Sequence, residues 1–222
     1  METLGRLELD IGAVKESIKC VRDTFNDIQR SLETVCSDLK ELRSDHEVLK
    51  KENKKLKEDL AATKAEVIEL KQYSRLNNLE IRGVPFVANE KLEEHVQTLT
   101  AKLGISVEKS EIDLVHRVPS KDKAKPNILI KFVSRSSRNK VLQASKKNRV
   151  TTSDFGFQET DAVYINEHLC PEKKVLLGKA TSLRKEKQWK FSWVQQGRIL
   201  ARKTENSPIV HIASEDDLAK IV

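Results

Sequence analysis

From Leu4 to Leu70 apolar residues recur at alternating spacings of three and four. With Leu4 as position a, the a series is Leu4, Ile11, Ile18, Phe25, Leu32, Leu39, His46, Asn53, Leu60 and Val67. The d series is Leu7, Val14, Val21, Ile28, Val35, Leu42, Leu49, Leu56, Thr63 and Leu70. Seventeen of these twenty positions are apolar, a run too long for an ordinary amphipathic helix, and it predicts a coiled coil over residues 1–72. At the rise of an α-helix such a rod is on the order of 100 Å long. The flanking charges fix its polarity. In a parallel pairing each g residue meets the e residue of the partner's next heptad, so Asp10 meets Lys15, Asp38 meets Arg43, Asp45 meets Lys50, Glu52 meets Lys57, Asp59 meets Lys64 and Glu66 meets Lys71. An antiparallel pairing would set like charge against like. The expectation is a parallel homo-oligomer. Val14, Val21, Ile28 and Val35 at d favour three strands and Asn53 at a favours two; the reading adopted is a trimer. His46 and Asn53 read as polar layers that set register, with a buried ion as the minor alternative.

After Gln72 the period changes. Residues 78–84 alternate as a strand that ends at Gly83 and Pro85, and 90–103 have helical spacing with Gly104 as stop. Residues 112–118 and 127–133 read as strands, 134–147 as helix and 162–166 as strand. The order β-α-β-β-α-β predicts a ferredoxin-like domain of the RNA-recognition-motif kind over 76–169. A second, small basic domain over 170–222 follows: a helix opened by Pro171, a hairpin of 191–194 and 198–203 turning at Gly197, a further strand at 209–212, and a short last helix with a capping box formed by Ser214 and Asp217. The expected fold class is α+β.

Charge separates the two regions. Residues 1–75 hold 15 Lys/Arg and 16 Asp/Glu, a net of −1, and residues 76–222 hold 26 and 18, a net of +8. Between Arg117 and Arg149 there are eleven basic residues and one acid, Asp122; between Lys173 and Lys203 there are ten and one, Glu186. Blocks of one sign that span folded elements point to an anionic partner, and nucleic acid is the commonest. The candidate contacts are Arg117, Lys121, Lys123, Lys125, Arg135, Arg138, Lys146, Lys147, Arg149, Arg198, Arg202 and Lys203. The strand at 127–132 carries one aromatic, Phe132, where RNA-recognition motifs carry a pair. Trp189, Phe191 and Trp193 alternate further on; such residues are more often core than a base platform.

No catalytic constellation is visible. The five histidines lack a paired nucleophile or ligand spacing, no phosphate-cradling glycine loop occurs, and Glu215-Asp216-Asp217 suits the first turn of a helix better than a metal. The expectation is a protein that is not an enzyme and takes no cofactor or metal. Cys20, Cys36 and Cys170 show no disulfide or zinc spacing. With no apolar stretch of membrane-spanning length and no signal-peptide pattern at METLGRLELD, no membrane association is expected, and the location expected is cytoplasmic or nuclear.

Several segments resemble a known group. Gln72-Tyr73-Ser74-Arg75-Leu76-Asn77-Asn78 through Pro85, His116-Arg117-Val118 with Lys125-Pro126-Asn127 through Phe132, Val163 through Leu169, Phe191-Ser192-Trp193-Val194, and Gly197-Arg198-Ile199 with Arg202-Lys203 are similar to first-reading-frame proteins of LINE-type (non-LTR) retrotransposons. The part of that group containing the baculovirus few-polyhedra (FP) protein is the most similar. The resemblance covers about residues 72–222. It implies a trimeric coil, an RNA-recognition motif without paired aromatics, and a C-terminal domain that closes over single-stranded nucleic acid, held at Arg117, Lys125, Arg149, Arg198, Arg202 and Lys203. Gln195-Gln196 departs from the Arg-Asn expected before the turn glycine and removes a charge there. The function expected is single-stranded RNA or DNA binding with nucleic-acid chaperone activity in a retrotransposon-type ribonucleoprotein particle. The alternative is a coiled-coil scaffold for an acidic protein, as in viral assembly.

Overall fold

The structure is a computed structural model that describes residues 2–120, 122 and 124–222, with side chains described from Ile11 onward. Contacts divide the chain into residues 1–63 and 64–222. The first unit consists of helix α1, which spans Glu2–Tyr73 and contributes its last turns to the second. Every apolar a and d residue from Ile11 to Leu70 is exposed on the single chain. Thr24, Ser31, Thr34 and Thr63, poor helix formers when solvated, donate their hydroxyls to carbonyls four residues back. The heptad positions before Ile11 lie outside the described side chains.

The second unit is α+β. Strands β1 (Asn78–Arg82), β2 (Ile112–Val118), β3 (Asn127–Phe132), β4 (Val150–Thr151) and β5 (Ala162–Glu167) form an antiparallel sheet of order β2-β3-β1-β5-β4. Strand alternation sorts its faces. Leu79, Ile81, Ile128, Ile130 and Phe132 point into a core closed by Val96 and Leu99 of α2 (Leu92–Lys102) and Val141 and Leu142 of α3 (Arg135–Lys147). Burying each such side chain stabilises by about 1.5–3 kcal/mol. Glu80 and Arg82 take the other face, opposite Asn166 and Tyr164 of β5. Strand β1 stops where expected physically: Gly83 has φ 100°, and a Cβ there would lie 2.7 Å from the Ala162 carbonyl oxygen. Ser134 caps α3 by accepting from the Ser137 N–H at 3.1 Å.

Beyond β5, helix α4 (Pro171–Glu186) packs on a second antiparallel sheet of β6 (Phe191–Gln195), β7 (Arg198–Arg202) and β8 (Val210–Ile212), in that order. Leu176, Ala180, Trp189, Ile199, Ala201, Ile212 and Ile221 form its core. The β6–β7 turn has φ 51° at Gln196 and 71° at Gly197, the type I′ geometry that suits strand twist.

The segments read as elements from sequence form them, with three differences among the described residues. A 3₁₀ turn at Lys109–Glu111 leads into β2. A two-residue strand, β4, and a 3₁₀ turn at Thr152–Phe155 intervene between α3 and β5, too short to show periodicity. The final segment Asp216–Lys220 is a 3₁₀ turn, and only half of the expected capping box forms: the Asp217 carboxylate accepts from the N–H groups of Ala213 (2.8 Å) and Ser214 (3.1 Å). Its bond to Lys220, with these two, lowers the Asp217 pKa to about 2. Among the described residues no helix is long and apolar enough to cross a membrane.

Candidate functional site

Among the junctions that place the C-terminal elements against the first sheet, two use backbone groups. At the end of α1 the buried Gln72 accepts from the Cys170 N–H (3.0 Å) and donates to the His168 carbonyl (3.1 Å). The donors of the β6–β7 turn are the second. Gln196 N–H (3.0 Å) and Gly197 N–H (2.7 Å) both bind the Glu167 carboxylate, which also pairs with buried Arg138 at 3.1 Å. Successive N–H groups in such a turn make a small anion nest, and here a carboxylate of the chain fills it. The hairpin tip therefore offers no free nest to a phosphate.

Between the β1–β5 part of the first sheet and the α4–β6 side of the second lies a cleft of about 1120 Å³. Among the described residues six cations from five segments line it: Arg82, Lys146, Lys174, Arg184, Lys190 and Arg202. The two acids on its wall, Glu80 and Glu167, are already committed. Glu80, 1% exposed, is held by Lys174 at 2.9 Å, Asn127 at 2.6 Å and Arg82 at 3.5 Å. Burial opposes its ionisation, but the Lys174 bond and the Arg82 and Lys174 charges outweigh that and hold its carboxyl below the usual value. Lys190 pairs with Glu205 at 2.5 Å, and Arg184 donates to the carbonyls of Trp189 and Lys190 at 3.2 Å each. Lys146 and Arg202 face the cleft with no carboxylate within 4.0 Å among the described residues. Such a wall attracts anions and offers guanidinium and ammonium donors to phosphate oxygens.

The sequence-predicted residues are divided by the structure. Lys146 and Arg202 line the cleft. Arg135, Arg138 and Arg198 line a separate hollow of about 630 Å³ with Glu66, Glu69 and Tyr73. There the Arg135 guanidinium stacks over the Tyr73 ring at 4.7 Å. Arg138 is internal to the fold through Glu167 and cannot meet a ligand without breaking that pair. Arg117 is likewise structural: it donates to both carboxylate oxygens of Glu90 (2.8 and 2.7 Å) and to the carbonyls of Val84, Pro85 and Pro126. That network, with His95, overcomes burial and lowers the Glu90 pKa. Lys125 pairs with Asp161 at 2.6 Å, a bond that raises its pKa. Lys147, Arg149 and Lys203 are exposed, outside both hollows, and Lys203 donates to the Val222 carbonyl at 3.1 Å. Lys121 and Lys123 lie outside the described residues.

Four cleft cations were not among the candidates: Arg82, Lys174, Arg184 and Lys190. The alternation of Asn78–Arg82 already put Arg82 opposite the core face, and Lys174, Gly178 and Thr181 share one face of α4, so both signals were readable. His168 accepts through Nδ1 from the Asn78 Nδ2 at 3.2 Å; burial and then the Lys174 charge depress its pKa to about 4. Among the described residues no cluster of three or more His, Cys, Asp or Glu could hold a metal.

No curated protein matches the chain. Residues 170–222, from the N-cap of α4 to the end, match the family described as baculovirus FP protein domain 2, which supports the FP-protein side of the resemblance.

Proposed function

We propose that this protein is an oligomeric binder of single-stranded nucleic acid, RNA in the first place, with strand-annealing activity in a retrotransposon-type ribonucleoprotein particle. The observation that carries the reading is the cleft: six cations face two acids, and both acids are bound by the protein's own donors. Each phosphate held there releases counterions, which gives affinity without sequence preference. The strand order β2-β3-β1-β5 with both helices on one face supports an RNA-recognition-motif-like assignment for the first sheet. Its open face departs from that plan, because Lys174 of α4 covers Glu80.

The exposed seam of α1 supports the oligomer. The apolar stripe from Ile11 to Leu70, interrupted at His46, Asn53 and Thr63, forms a surface that a second copy covers, and the g-to-e charges select parallel chains, three in this proposal. Parallel chains bring their heads to one end. A strand bound by one head then meets the next at high effective concentration, an avidity gain on the order of 10²–10⁴. The working location is cytoplasmic or nuclear, where RNA is met.

The test is fluorescence anisotropy of the full chain with single-stranded and duplex 20-mers across a salt series. Single strands should bind more tightly than duplex, with log affinity falling linearly in log salt. A flat signal at low salt refutes the reading and leaves an acidic protein as the partner to seek.

A further inference from the structure

Two large aromatics of the C-terminal sheet serve neither core. Trp189 is buried, 6% exposed, and its Nε1 donates to the Val222 carbonyl at 2.9 Å. Phe191 and Trp193 are half-buried, and neither hydrophobic cluster of the described residues includes them. The register explains why. Ser192 and Val194 pair with Ala201 and Ile199, which face α4 and the core, so Phe191 and Trp193, paired with Arg202 and Leu200, face the other way. Both line the basic cleft. An aromatic side chain of this size usually spends 150–250 Å² of surface on a core. Here that surface is turned toward the cations.

The local polar geometry fits a ligand that is both flat and anionic. The Arg202 guanidinium lies over the Phe191 ring at 5.1 Å, and its Nε is buried with no hydrogen-bond partner among the described residues. The stack fixes Arg202 at the cleft wall with donors unspent. The Trp193 indole is held only loosely, its Nε1 reaching Gln195 Oε1 at 3.5 Å, the outer limit of a hydrogen bond. A ring beside a fixed guanidinium matches the repeat of a nucleotide, base beside phosphate.

We infer that Trp193 stacks on an unpaired base while Arg202, positioned by Phe191, holds the adjoining phosphate, so that this wall of the cleft selects single strands. The inference rests on the nucleic-acid reading above and adds to it the part of the ligand that is read. Duplex is excluded because its bases are already stacked on one another, whereas any unpaired base offers a π-face, which gives strand selectivity without sequence preference.

The chain has two tryptophans, and the other is buried, so fluorescence quenching reports on Trp193. The probes are a single-stranded DNA 20-mer and an abasic 20-mer with the same number of phosphates, titrated into the full chain. The expected result is quenching by the base-containing strand only, with the abasic strand bound about ten- to a hundredfold more weakly at an unchanged salt slope. Trp193→Ala should remove most of that difference and Trp193→Phe should restore much of it. Equal, salt-dependent binding of the two probes without quenching overturns the inference and leaves the proposed function standing, a result the unsubstituted protein alone can give. Binding of neither probe overturns both.

Discussion

Gly197→Ala tests whether one buried amide joins the end of α1 to the C-terminal sheet. Gly197 sits at φ 71°, where an alanine costs about 1 kcal/mol or somewhat more. A Cβ there would also lie 2.7 Å from Gln72 Cγ and 2.9 Å from Nε2. Gln72 is 3% exposed and cannot turn aside without abandoning the Cys170 N–H and the His168 carbonyl. Leaving those groups unpaired costs about 2 kcal/mol, so Gly197→Ala should destabilise by about 3 kcal/mol in all. Gln72→Ala loses the same two bonds and should cost about 2 kcal/mol. In the double variant the collision is gone, and the total should be about 3 kcal/mol, not about 5, a coupling of about 2 kcal/mol. Urea unfolding of the full chain, followed by the fluorescence of Trp189 and Trp193, measures the cycle in the folded head. Additivity within about 0.5 kcal/mol would mean that the turn and the helix end do not meet as described.

Arg117→Ala should destabilise the first sheet by about 3 kcal/mol, since it strands the Glu90 carboxylate and three carbonyls, yet leave the salt slope of binding unchanged; a flattened slope with intact stability would return Arg117 to the interface. Lys146→Ala and Arg202→Ala should each weaken binding of every sequence alike and lower the single-strand salt slope by about 0.7, whereas an unchanged slope in both moves the phosphates elsewhere. His168 titrates near 6.5 unfolded and at about 4 folded, with Lys174, Glu80, Arg75 and His116 facing it. Its depressed value contributes stability fully present above pH ~6.5 and lost as pH falls through about 4, so melting of His168→Gln against the parent should show the gap change within that window and nowhere above it. In the coil, cysteine placed at Leu32 of one chain should crosslink to the same position of another, and crosslinking only to distant positions would refute parallel packing.

The elements were legible because their periods are local. Leu79 and Ile81 against Glu80 and Arg82 is a pattern of two, and Leu92, Val96, Leu99 and Leu103 is one of helical spacing; each needs only its own neighbours to be read. The basic character of the C-terminal part was equally readable from counts. Which cations stay free was not, because a carboxylate elsewhere in the chain decides it. Arg117 and Arg138 carry the same charge as Arg202, but Glu90 stands 27 residues from Arg117 and Glu167 closes over Arg138 from β5. The hairpin tip shows the same gap between pattern and contact. Its sequence announces a turn with positive φ, and only the fold reveals that Glu167 already fills the donors the turn creates.

The Gln72 bond also sets a timetable. Its partner Cys170 follows it by 98 residues, and β1, the strand next after it, waits for β5 to complete its pairing. At roughly 5–20 residues per second of synthesis, the last turn of α1 stays unlocked for about 5–20 s after it is made. The heptads before it need no later residue to present their seam. In a growing chain the helix is therefore exposed well before its own head has closed, and in the proposed oligomer the order of translation would give assembly a head start over the completion of the cleft.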